Sequence, residues 1–93
     1  MATFFMFGRY SHASISNISA KRTADTIAII KANGGELKDG YVLMGEPDLV
    51  MLVDFPGPAN AMKTSVALSQ LLGIVFTTAP AMSFDDFDKL VSK

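Results

Sequence analysis

The residues with chemistry to offer fall in three places along the chain. Arg9, Tyr10, His12 and Ser19 lie in or beside a polar stretch, 10–19, that carries four serines and the only histidine. Glu46 and Asp48 flank Pro47 in the turn Gly45–Asp48, and Asp54 stands near the end of the apolar run that follows. A guanidinium and the free N–H groups at a helix start can hold an anion, and His12 or Asp48 can move a proton. Asp54, in phase with Val50 and Leu52, is a further candidate base. Each residue also has a plainer reading. These are an Arg9–Asp48 ion pair locking the end of a sheet, a serine-capped helix, a solvated histidine, and a carboxylate closing the turn before Pro56. For any one residue the plainer reading is preferred.

These residues must be positioned by the elements around them. Thr3–Arg9 alternates as a strand, with Thr3, Phe5, Phe7 and Arg9 on one side and Phe4, Met6 and Gly8 on the other. Ser19 is a good N-cap for a helix running to about Asn33, stopped by Gly34-Gly35. Its buried stripe is expected to be Ala20, Thr23, Ile27 and Ile30. Lys21 and Arg22 oppose the dipole in its first turn, which suits a nearby anion but equally a solvated pair. Leu37–Met44 is a second strand whose Lys38-Asp39-Gly40 suggests a bulge or an exposed edge.

Gly45–Asp48 then makes a tight hairpin into a third strand, Leu49–Phe55, nearly all apolar and so expected at the centre of a sheet. Pro58 suits the first position of the next helix, which runs to Leu72 and ends at Gly73. Its stripe is Ala61, Ser65, Leu68 and Leu72, flanked by Met62 and Leu71. Ile74–Ala79 is a fourth strand. Ser83 caps a short closing helix with Phe84, Phe87, Leu90 and Val91 on one side. The order is β-α-β-β-α-β plus a helix, the α+β, ferredoxin-like arrangement. Right-handed crossovers lodge the third strand between the first and second, antiparallel to both.

Ninety-three residues make one domain, spanning 1–93, and 49% apolar content is high for a chain with so much surface relative to volume. A net charge of −1 excludes a general nucleic-acid binder and a polybasic membrane anchor. The chain has no cysteine and one histidine, so no disulfide, thiol nucleophile or metal site is expected; Asp85, Asp86 and Asp88 read as a solvated helix start. Met1–Phe7 has neither the charge nor the length of a secretory leader, and no run approaches the ~20 apolar residues of a membrane span. A cytoplasmic location is expected.

Self-association is expected as well. Each long helix is about 10 Å wide, whereas four strands about 4.8 Å apart make a sheet about 19 Å across. Two helices therefore cover one face. The other carries apolar residues too, and a bare apolar face of about 400 Å² is near the limit for a monomer. Burial against an identical chain is the simplest remedy. The alternative is that the closing helix folds over that face, but it is too narrow to cover four strands.

Gly45-Glu46-Pro47-Asp48-Leu49-Val50, Val53-Asp54-Phe55-Pro56, Ala61-Met62-Lys63 and Ala67-Leu68-Ser69 resemble the GYD-domain family, over essentially the whole chain. The family takes its name from a Gly-Tyr-Asp signature at this turn, where Pro47 replaces the tyrosine. The resemblance implies a ferredoxin-like fold of the dimeric α/β-barrel kind and carries no general activity or catalytic residues. Relatives of this fold class include haem-degrading enzymes that bind iron through histidine; with one histidine and no second ligand motif, haem at His12 is not expected, nor is any other cofactor.

The leading functional reading is a homodimer binding a small, anionic ligand near the 9–19 loop and the hairpin, through Arg9, Tyr10, His12, Ser19, Glu46 and Asp48. Two alternatives stand beside it. One is a cofactor-independent oxygenase- or isomerase-like enzyme, by fold analogy alone; the other is a protein-interaction module using the apolar sheet face.

Overall fold

A computed structural model describes residues 1–11 and 19–92. The elements are β1 (Ala2–Tyr10), α1 (Ala20–Ala32), β2 (Glu36–Val42), β3 (Leu49–Phe55), α2 (Pro58–Leu72), β4 (Ile74–Ala81) and α3 (Phe84–Val91). The four strands form one sheet in the order β2-β3-β1-β4, with every neighbouring pair antiparallel. β3 is thus central, beside β1 and β2, as its apolar run requires, and the topology is the ferredoxin-like one. No helix among the described residues is long and apolar enough to cross a membrane.

The local signals act as their chemistry dictates. The Ser19 hydroxyl accepts from the Arg22 N–H at 3.3 Å, and the Ser83 hydroxyl from the Asp86 N–H at 3.1 Å. Each satisfies a backbone donor that the helix start leaves orphaned. Pro58 opens α2, and Gly73, at φ 68°, ends it in the left-handed conformation that glycine adopts without strain. In β2 the register against β3 slips between Leu37 and Asp39, a bulge on an edge strand.

The core lies between the helices and one face of the sheet. Phe4 and Met6 of β1 and Met51, Val53 and Phe55 of β3 meet Ile30 of α1 and Ala61 and Leu68 of α2. Phe4 and Phe55 pack edge to face at 5.9 Å. The two long helices are joined where Asn60 Nδ2 donates to the Asn33 carbonyl at 3.0 Å. The Ser65 and Thr78 hydroxyls, 2.5 Å apart, tie α2 to β4.

Several details depart from the sequence reading. In α1, Ile30 is buried and Ile29 packs on the core, whereas Ala20 and Thr23 are exposed. The start of the helix stands off the sheet, so the expected stripe holds only in its second half. In α2, Thr64 is fully buried and donates to the Asn60 carbonyl at 2.8 Å, while Met62 and Leu71 face outward. The small hydroxyl side chain fits where α2 lies close to the sheet. The connection between β2 and β3 is wider than a four-residue hairpin. β2 ends at Val42, and the loop is closed by the Leu43 N–H donating to the Asp48 carbonyl at 2.7 Å. It contains a cis Glu46–Pro47 peptide.

Candidate functional site

Strand alternation sorts the candidate residues before any contact is considered. Tyr10 continues the phase of Phe4, Met6 and Gly8 and stands on the helix-covered face, opposite Ile74. Arg9 belongs with Thr3, Phe5 and Phe7 on the open face, opposite Val75. Two neighbours in sequence therefore serve opposite sides of the sheet.

On the covered side, the lift of α1 from the sheet opens a cleft of about 270 Å³. Its walls are mainly Ile27, Leu37, Leu49, Met51, Leu72 and Ile74. Polar groups enter from Tyr10 and from Ser19, Arg22, Thr23 and Thr26, all in or before the first two turns of α1. Gly40 lies on the β2 wall, and a methyl group added there would meet only Met51 Cγ, at 3.8 Å. No carboxylate and no histidine is among the described residues lining the cleft.

The hairpin carboxylates have other partners. Asp48 Oδ2 accepts from the Tyr10 backbone N–H at 3.0 Å, and the Asp48 N–H donates to the Gly8 carbonyl at 2.9 Å. The expected Arg9–Asp48 ion pair is replaced by an exposed pair between Arg9 and Glu46. The reason is geometric: Asp48 lies in line with the β1 backbone, within reach of its N–H groups, whereas the Arg9 side chain rises from the open face. Glu46, further round the loop, meets it there.

Asp54 sits at the opposite end of the sheet. Thr3 Oγ1 donates to its Oδ1 at 2.7 Å, and Lys38 Nζ lies 3.8 Å from its Oδ2. This carboxylate is held in a polar cluster rather than set bare among apolar neighbours, and it is far from the cleft. Lys21 pairs with Asp25 at 2.9 Å on the exposed side of α1. His12 lies outside the described residues.

Of the candidate residues, Tyr10 and Ser19 line the cleft; Arg9 and Glu46 stand together on the other side of the sheet. A family model described as the GYD domain matches residues 4–91. The chain belongs to the GYD-domain family. The match runs from β1 through α3, so the cleft, the loop before Asp48 and the closing helix all lie within the GYD domain. No curated protein and no solved structure matches the chain. Sequence reasoning set Arg22 outside and gave Thr23 and Ile27 to the core. The signal that could have placed all three was the small and polar character of Ala20, Thr23, Ala24 and Thr26, too slight to seat the first two turns firmly on a sheet.

Proposed function

We propose that this GYD-domain chain is a small-molecule-binding homodimer whose ligand occupies the cleft between α1 and the sheet. The cleft itself carries the reading. At about 270 Å³ it is just below the roughly 300–1,000 Å³ of ordinary ligand pockets, with apolar walls and polar groups gathered at one end. A ligand with a compact apolar body and one anionic end fits that division, its charged end beside Arg22 and the start of α1. The lining offers orientation more than proton transfer, which favours binding over acid–base chemistry.

The homodimer rests on the uncovered face. Phe5, Phe7, Leu52 and Val75 stand there with no helix over them, and Phe5 and Phe7 stack at 5.7 Å. Pairing two such faces back to back in a barrel-like dimer removes them from water and leaves both clefts open on the outside.

The cleft is tested with 1-anilinonaphthalene-8-sulfonate, an aromatic body bearing one anion, followed by fluorescence. Saturable binding of one probe per chain is expected, weakened at least tenfold in Gly40→Ile, which extends a side chain into the cleft. Binding unchanged in that variant, with its fold intact by circular dichroism, would overturn the assignment.

A further inference from the structure

Two apolar surfaces lack a partner among the described residues, and they adjoin. The first is α3. Phe84, Phe87, Leu90 and Val91 occupy about a third of its circumference, with Asp85, Asp86, Asp88 and Lys89 on the rest. All four apolar residues are exposed, Phe84 at 89% and Leu90 at 69%. Eight residues cannot hold a helix in water unaided, since isolated helices below ~12 residues are marginal even with ideal composition. Yet among the described residues α3 makes no substantial packing contact with another element. Ser83 is extended (φ −65°, ψ 158°), and the molecule measures 51 Å along its longest axis, against about 30 Å for a nine-residue strand. α3 therefore projects from the body of the domain.

The second surface is a shallow trough of about 560 Å³ at the same end of the open face, lined by Thr3, Phe5, Leu52, Ala81 and Met82 and reaching Ser83 and Asp86 at the base of α3.

We propose that α3 is an exchanged arm. In the homodimer, α3 of each chain lays Phe84, Phe87 and Leu90 into the trough of the second copy. The inference rests on the sheet-to-sheet pairing proposed above and names what completes it. An isologous interface needs the inserting element and its receptor on the same chain; here they are continuous through Met82 and Ser83. Area favours the exchange too. A sheet face of about 400 Å² falls short of the roughly 800 Å² per partner found in stable complexes. Arm exchange adds to each chain twice, once where its own arm is buried and once where its trough is covered. The charged arc of the inserting α3 stays in water, and the carboxylate on the receiving trough, Asp86, is exposed at the base of α3.

The chain has no cysteine, which makes the test direct. Phe87→Cys and Leu52→Cys variants, one carrying a tag that separates the two by mass, are mixed, allowed to exchange subunits and oxidised. A disulfide joining the two different chains is expected as the main product. A disulfide closing within one chain of the Leu52→Cys/Phe87→Cys double variant, or no disulfide at all, overturns the arm. In parallel, sedimentation of Phe87→Ser/Leu90→Ser is expected to show a dimer dissociation constant raised at least tenfold, with strand and long-helix signals retained. A wild-type dimer whose dissociation these substitutions leave unchanged overturns the arm but not the pairing. A wild-type monomer at micromolar concentration overturns both.

Discussion

The backbone N–H of Tyr10 donates to the Asp48 carboxylate at 3.0 Å, across 38 residues of chain. This one bond fixes the last residue of β1 to the loop entering β3, at the point where Tyr10 turns toward the cleft. A charge-assisted bond of this kind contributes about 1.5–3 kcal/mol when half-buried. Asp48→Ala is therefore expected to lower unfolding stability by about 1–2 kcal/mol in urea titration. Asp48→Asn keeps an acceptor oxygen at the same place and should recover at least half of that loss. Equal losses in the two variants would show that the charge, not the acceptor geometry, holds this corner.

The neighbouring ion pair should behave differently. Arg9 and Glu46 are joined, but their side chains are 66% and 69% exposed. Solvent screening limits such a pair to roughly 0–1 kcal/mol. In the dissociated monomer at low concentration, a double-mutant cycle on Arg9→Ala and Glu46→Ala is expected to give a coupling energy under about 1 kcal/mol, falling further in 0.5 M salt. A coupling that resists salt would mean the pair is buried in solution, as an assembly on the open face would bring about.

A third prediction concerns the start of β2. A methyl group on Gly35 would sit 2.5 Å from Phe55 Cε1 and 3.1 Å from the Asp54 carbonyl oxygen. Phe55 is fully buried and packed edge to face on Phe4, and the other contact is main chain, so neither can retreat cheaply. Gly35→Ala is expected to destabilise the domain by about 2–3 kcal/mol, read from the urea midpoint. Gly40→Ala, whose added methyl meets only Met51 Cγ at 3.8 Å, should fall within about 0.5 kcal/mol of wild type.

The architecture was legible because each of its signals is local. Ser19 and Ser83 before helical periods, Pro58 and Gly73 around α2, and the unbroken apolar run of β3 each act within a turn or a strand. The strand order follows from the handedness of the crossovers. The site was less legible because side-chain pairing depends on atomic reach across elements. The sequence places Arg9 and Asp48 at one end of the sheet, but not which acid the guanidinium meets or that Asp48 turns to a backbone N–H. The cleft was hidden for a similar reason. Ala20 and Thr23 fit a helical stripe as well as Ile27 and Ile30 do, and only the packing of Ile30 against the sheet decides which end of α1 is held down.

The open face gives the sharpest separation between folding and assembly. Val75, on β4 at the sheet edge and opposite Arg9, is 67% exposed. Within one chain its side chain contributes little, and an exposed substitution costs about 0.5 kcal/mol or less. In a sheet-to-sheet dimer the same position is buried. A carboxylate there would be desolvated with only the Arg9 guanidinium across the strand pair, already engaged by Glu46, to offset it, at a cost of several kcal/mol per interface. Val75→Asp is therefore expected to leave the unfolding midpoint of the isolated chain nearly unchanged at low concentration while shifting the species in light scattering from dimer to monomer. Because Val75 lies at the far end of the face from the trough, this result would not depend on the arm. A stable Val75→Asp dimer would place the interface elsewhere on the molecule, and a large loss of stability in the monomer would mean that the chain covers this face by itself.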